Sequence, residues 1–242
     1  MQACITAFIA GIFFLIGALI VYFEKKQKGI VEFSIGMAFS VMTLLLLSDI
    51  FPEISEIIKS TGKAYIILFV LLGLFILKGI DLLIPHHDHN KEIKHHDRHL
   101  KHINSITSLA IIIHNVIEGM AIASVASVDF SAGLIMALAV GLHNIPFGIE
   151  ITATFDKLDK KSVFKILFLS ISTLLGAIIY VLIGNLNEVF EGILLCITSG
   201  MILYIIIFEL FPEFKESKLK KSSYFGIVVG VILMLINIII GG

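Results

Sequence analysis

His114 and Glu118 stand four residues apart in "HNVIEGMAIA", and His143 opens a near copy, "HNIPFGIEIT", further along the chain. On a helix the i, i+4 spacing puts an imidazole and a carboxylate on one face. Asn115 and Asn144 follow the two histidines and add amide oxygens. Neutral imidazole, carboxylate and amide oxygen together make a nitrogen-and-oxygen ligand set for a borderline divalent cation. The copies differ at one telling place, because Phe147 stands where the first copy has Glu118.

The surrounding sequence decides what must position these side chains. Of 242 residues 57% are hydrophobic and 15% are charged, with a mean hydropathy of +1.01. The charges cluster and leave long apolar runs, the pattern of an integral membrane protein. Eight spans are expected, near 3–22, 30–51, 64–84, 104–126, 131–154, 163–184, 188–210 and 224–241. The fold class is therefore all-α, a polytopic bundle forming one transmembrane domain over 1–242. A net charge of -1 gives no reason to expect a nucleic-acid partner, and Cys4 and Cys196 form no metal motif. The lysines Lys25, Lys26 and Lys28 follow the first apolar run, so it reads as a retained helix rather than a cleaved signal. Counting Lys and Arg puts both termini outside, with only Lys59 and Lys63 on the outer side. A multi-pass protein of the plasma membrane, with the bilayer as its medium, is the expectation.

Two motifs recur in opposite senses. "DIFPE" (Asp49 to Glu53) and "ELFPE" (Glu209 to Glu213) share an acid, an aliphatic residue, Phe, Pro and Glu, on spans 2 and 7. The His-Asn frames lie on spans 4 and 5, which also run oppositely. Such pairs indicate an inverted repeat, here 3+2+3, of the kind found in secondary carriers with a site near the midplane. His114 and His143 both fall near mid-span. A lone membrane histidine is more often interhelical packing glue than a ligand. Two of them beside a carboxylate that is costly to bury favour a metal site. Asp49 marks the outer approach, while Glu150 and Glu209 lie toward the inside. Pro146 should kink span 5.

The loop over 85–103 holds seven of the nine histidines: His86, His87, His89, His95, His96, His99 and His102. Neutral imidazoles in such a tract can bind divalent metal, and a solvated charged linker is the plainer reading.

"HNVIEG" followed by "HNIP", eight spans and a His-rich loop between spans 3 and 4 resemble the ZIP (Zrt/Irt-like) metal transporters, most closely their bacterial zinc-uptake branch. The resemblance runs over the whole chain and implies inward movement of divalent metal, zinc foremost, with iron, manganese, cobalt and cadmium also suited to such ligands. It carries ligand roles onto His114, Asn115, Glu118, His143 and Asn144, a site-lining role onto Met42 and an inner-exit role onto Glu209. It also implies a homodimer. The metal is cargo, and no cofactor is expected. Two departures stand out. Phe147 replaces the family's span-5 carboxylate, and Thr173 in "SISTLLGA" stands where span 6 usually has another. With Glu118 alone at this level, a single bound ion is expected. The loss of two acids leaves a second reading open, that of a transport-deficient relative acting as a membrane metal sensor or binding protein. An enzyme is not expected, since the chain has no phosphate-binding loop and "HNVIE" lacks the spacing of a zinc protease.

Overall fold

The computed structural model describes residues 1–24, 29–57, 63–83, 93–155, 157–184, 188–217 and 220–241. Helix α1 spans Gln2–Glu24 and α2 spans Ile30–Leu45; a π-helical turn, Leu46–Ile50, then leads into α3, Phe51–Ile57. Next come α4 (Lys63–Leu83), α5 (Ile93–Val128), α6 (Phe130–Ala153) and α7 (Lys160–Ile183). Helix α8 (Glu188–Tyr204) passes through a second π-helical turn, Ile205–Leu210, into α9 (Phe211–Glu216), and α10 (Lys220–Gly241) completes the bundle. Among the described residues, eight segments are long and apolar enough to cross a membrane, as expected from the sequence. No strand occurs among the described residues.

One boundary differs from the sequence reading, and one pair of motifs is sharpened. Helix α5 begins at Ile93, so the last part of the His-rich 85–103 stretch is helical and continues into span 4. The "DIFPE" and "ELFPE" motifs lie at the ends of their spans, and each straddles a junction from a π turn to a further α-helix. Proline explains why. Pro52 and Pro212 have no N–H to give the carbonyl four residues back, and their rings crowd it. The helix widens by one residue just before each. Phe51 N–H reaches the Leu46 carbonyl and Phe211 N–H reaches that of Ile206, and the chain continues instead of breaking. Pro146, by contrast, lies within continuous helix α6.

The main interfaces pair α1 with α6, α2 with α10, α5 with α7 and α4 with α8. In lipid such pairs are held by close packing rather than by water exclusion. The glycine five residues after each histidine makes two of these approaches possible. A Cβ on Gly119 would strike the Thr173 carbonyl of α7, and one on Gly148 would strike the Phe14 carbonyl of α1. The approach is reciprocal, since Gly176 of α7 faces the Val116 carbonyl of α5. The preceding asparagines lock the same two interfaces. Asn115 Nδ2 donates to the Leu169 carbonyl (3.3 Å) and to Ser172 Oγ (3.1 Å) on α7, while Asn144 Nδ2 donates to the Ala10 carbonyl (3.3 Å) on α1.

Gly176→Leu should therefore push α7 off α5. Overpacking of this kind costs about 1–3 kcal/mol, and a lowered thermal unfolding midpoint in detergent is expected; an unchanged midpoint would show that α5 and α7 do not pack this closely.

Candidate metal centre

At 100° per residue, the frame His-Asn-x-x-(Glu/Phe)-Gly divides cleanly between two helix faces. The histidine and the residue at +4 lie within about 40° of each other, and the asparagine and glycine at +1 and +5 lie on a neighbouring face. The asparagine–glycine face binds α1 or α7. The other face of α5 and of α6 is left to point inward, where the two meet.

There His114 Nε2 lies 3.1 Å from Glu118 Oε1, and His143 Nε2 lies 3.0 Å from the same oxygen and 3.3 Å from Oε2. The imidazole centroids are 6.0 Å apart. Ligands sharing one zinc ion at bond lengths of about 2.0–2.1 Å are separated by about 3.3 Å in a tetrahedron, so these spacings fit one small cation with little rearrangement. His114 Nε2 faces the carboxylate without hydrogen-bond geometry, and His143 Nδ1 is buried without a partner among the described residues. Buried polar atoms are ordinarily paired.

Phe147, 1% exposed, closes one side, its ring centroid 6.1 Å from each imidazole. It stands edge-on to His114. Thr173 is fully buried on α7, and its Oγ1 has no partner among the described residues. The histidines and Glu118 form the floor of a cavity of about 570 Å³ that extends past Leu45 and Met136 to Asp49. Asp49 accepts from Ser48 Oγ (2.6 Å) and from Asn237 Nδ2 (3.2 Å).

Not every residue with an expected role comes to this cluster. Asn115 and Asn144 commit their amide nitrogens to α7 and α1 and are absent from the cavity wall, although their Oδ1 atoms are buried without partners among the described residues. Met42 lies in the packed apolar core. Glu150 is fully buried with both carboxylate oxygens lacking a hydrogen-bond partner among the described residues, and it does not reach the cavity.

Glu209 belongs to a second group. His102 Nε2 is 2.7 Å from Asp81 Oδ1 and 3.7 Å from Glu209 Oε1, and Tyr204 donates to Asp81 Oδ2 at 2.7 Å. Their ligand atoms are close enough to share an ion. His102 and His114 are twelve residues apart on α5, which is about 18 Å of helix. Of the other loop histidines, His86, His87 and His89 lie outside the described residues, and the side chains of His95, His96 and His99 are likewise not described. Sequence reasoning missed Asp81 and Asn237. Each is a polar residue inside an apolar run, and that expense was the available signal.

Comparison with known proteins agrees with the geometry. The sequence pattern of the family described as "ZIP Zinc transporter" matches residues 84–238. The zinc transporter ZupT of Streptococcus mutans serotype c is 29% identical, the alignment covering 99% of this chain and 98% of the relative. ZupT of Clostridium perfringens is 26% identical, over 99% of this chain and 96% of its own. An uncharacterized protein of Methanocaldococcus jannaschii is 27% identical over 90% and 89% respectively. With more than half of its length matched by the family pattern, a histidine-and-carboxylate cluster buried in its bundle and eight apolar spans around it, this chain belongs to the ZIP zinc transporter family.

Proposed function

We propose that this chain is a secondary carrier moving divalent cations, zinc foremost, into the cytoplasm through a site made by His114, Glu118 and His143. One observation carries the proposal: two imidazoles from antiparallel helices converge on a single carboxylate at the floor of a membrane-depth cavity. The relatives named as zinc transporters support the choice of cargo. The ligand types would also accept Fe²⁺, Mn²⁺, Co²⁺ or Cd²⁺.

An incoming cation first meets Asp49, oriented by Ser48 and Asn237. It then takes three protein ligands at His114, Glu118 and His143. Three ligands leave a coordination position to water, which favours release as well as capture. Asn115 and Asn144 act as positioning residues, since their bonds to α7 and α1 fix the rotation of the helices that present the histidines. Between this site and the His102, Asp81 and Glu209 group, the face of α5 carries Ile106 and Ala110, packed in the same buried cluster as Met42, Ile202 and Ile206. The cavity stops above that layer. Alternating access then means opening the apolar layer while the Asp49 side closes. The inner group, with two carboxylates and an imidazole, receives the ion on the far side. The lysine-rich side is taken as cytoplasmic from the distribution of Lys and Arg.

The site is proposed to hold one ion. Glu118 supplies a single negative charge, Phe147 occupies the flank where a second carboxylate would stand, and Thr173 is neutral. Two divalent ions would bring charge that a dry site cannot leave unbalanced.

Zinc-loaded gradients across proteoliposomes should drive uptake read by an internal fluorescent indicator. Glu118→Gln should slow it by at least the ten- to hundredfold that loss of even an outer-shell partner costs a metal site. Absence of flux for any divalent metal, together with absence of binding, would overturn the carrier reading. Asp81→Ala should reduce flux while leaving the calorimetric zinc affinity of the His114 site unchanged; a parallel loss of both would place Asp81 in that site instead. Phe147→Glu should raise bound zinc from one ion per chain toward two by elemental analysis, and unchanged stoichiometry would refute the single-ion account.

A further inference from the structure

On the lysine-rich side, beside the His102 end of α5, a second cavity of about 570 Å³ opens between α5, the α6–α7 connection and the start of α7. Its wall carries Lys101, Lys157 and Lys165, one from each of these segments. Lys165 is fixed in place. Its ammonium donates to Asn104 Oδ1 (2.6 Å) and to the Asn104 carbonyl (3.2 Å), and it lies 5.7 Å from the centroid of the Phe155 ring. Asn104 is itself anchored, donating to the Ile151 carbonyl and to Thr154 Oγ1 at 2.8 Å each. An ammonium has three donors, so Lys165 retains one beyond those given to Asn104.

The one acid on the wall, Asp159, is engaged at the start of α7. Its carboxylate caps α7, accepting from Ser162 N at 2.8 Å and from Ser162 Oγ at 3.0 Å. Those bonds, the backbone one foremost, hold its carboxyl below the ordinary range. The wall thus sets three lysines against one aspartate.

The outer flank of the pocket is apolar. On α7, Phe164, Leu167, Phe168 and Ile171 are exposed, with Phe164 at 71%. By helical spacing Lys161, Phe164, Lys165 and Phe168 share one side of α7. A cationic pocket at the end of the spans therefore runs directly into a lipid-facing aromatic strip. A solvated lysine cluster needs neither the walled cavity nor the strip. Basic pockets between membrane helices are suited to anionic headgroups.

We propose that this pocket binds the phosphate headgroup of an anionic membrane lipid, its acyl chains lying along Phe164, Phe168 and Ile171. Headgroup binding would tie α5 to α7 at the membrane edge, on the helix that presents His114.

The test uses the full chain in a neutral detergent, titrated with phosphatidylglycerol or phosphatidylcholine of matched acyl chains, with retained lipid measured by native mass spectrometry. Phosphatidylglycerol should be retained in preference. Lys101→Ala and Lys157→Ala, which leave the Asn104 anchor intact, should each weaken its retention about fivefold, with helical content by circular dichroism unchanged. Inorganic phosphate at millimolar concentration should not displace the lipid. Equal retention of the two lipids, or undiminished retention in both variants, would overturn the proposal. Full displacement by inorganic phosphate would overturn it too, identifying a free-anion site instead.

Discussion

A carboxylate held at membrane depth is the constraint on which the rest of this structure depends. Glu118 cannot be left alone in an apolar bundle, because an unpaired charge there costs several kcal/mol. It is met by His114 from its own helix and by His143 from the next. That meeting requires α5 and α6 to present the correct faces to one another, and the rotation of each is set from behind. Asn115 and Gly119 seat α5 on α7; Asn144 and Gly148 seat α6 on α1. The repeated frame thus reads as a rotation device as much as a ligand set. One face carries the histidine with the glutamate or phenylalanine, and the face roughly a quarter-turn away carries the lock.

The proline-bearing motifs show a related economy at the cluster edges. A π turn offsets the helix register by one residue, which re-aims the side chains that follow. Asp49 lies in one such turn and Glu209 in the other. Each acid thereby faces a polar partner from a distant span, Asn237 in the first case and His102 in the second. That both acids use the same device on oppositely running spans is what an inverted repeat would produce.

The sequence made the architecture readable because eight apolar runs separated by charge leave little choice in a bilayer. The convergence of His114, Glu118 and His143 was readable too, from an i, i+4 pair and a second histidine at matching depth. Other features were not, and the reasons are physical. Asn115 and Asn144 have the right chemistry for ligands, but no local pattern encodes the bonds that their amide nitrogens make to α7 and α1. Asp81 and Asn237 could be flagged as polar residues in apolar runs, yet their partners, His102 and Asp49, are supplied by helix pairing that no local pattern encodes. The π turns were hidden because proline predicts a disturbance without saying whether the helix stops or widens.

The distribution of charge along the path bears on direction. In the proposed carrier the cation meets one carboxylate at Asp49, one at Glu118 and two at the inner group, Asp81 and Glu209. The central site is therefore not the most anionic point on the route, and with Phe147 beside it, it is not reinforced by a second ion-binding acid. A deep central well would hold zinc and slow its release, since conduction needs sites that bind well enough to admit an ion and weakly enough to lose it. Replacing an acid by a phenyl ring lowers the depth of that well while keeping water out of its flank. The stronger inner pair can then compete for the ion once the Ile106 and Ala110 layer opens. On this view Phe147 is a tuning of the central site, and the equilibrium between the two clusters, rather than the affinity of either, sets how readily metal moves inward.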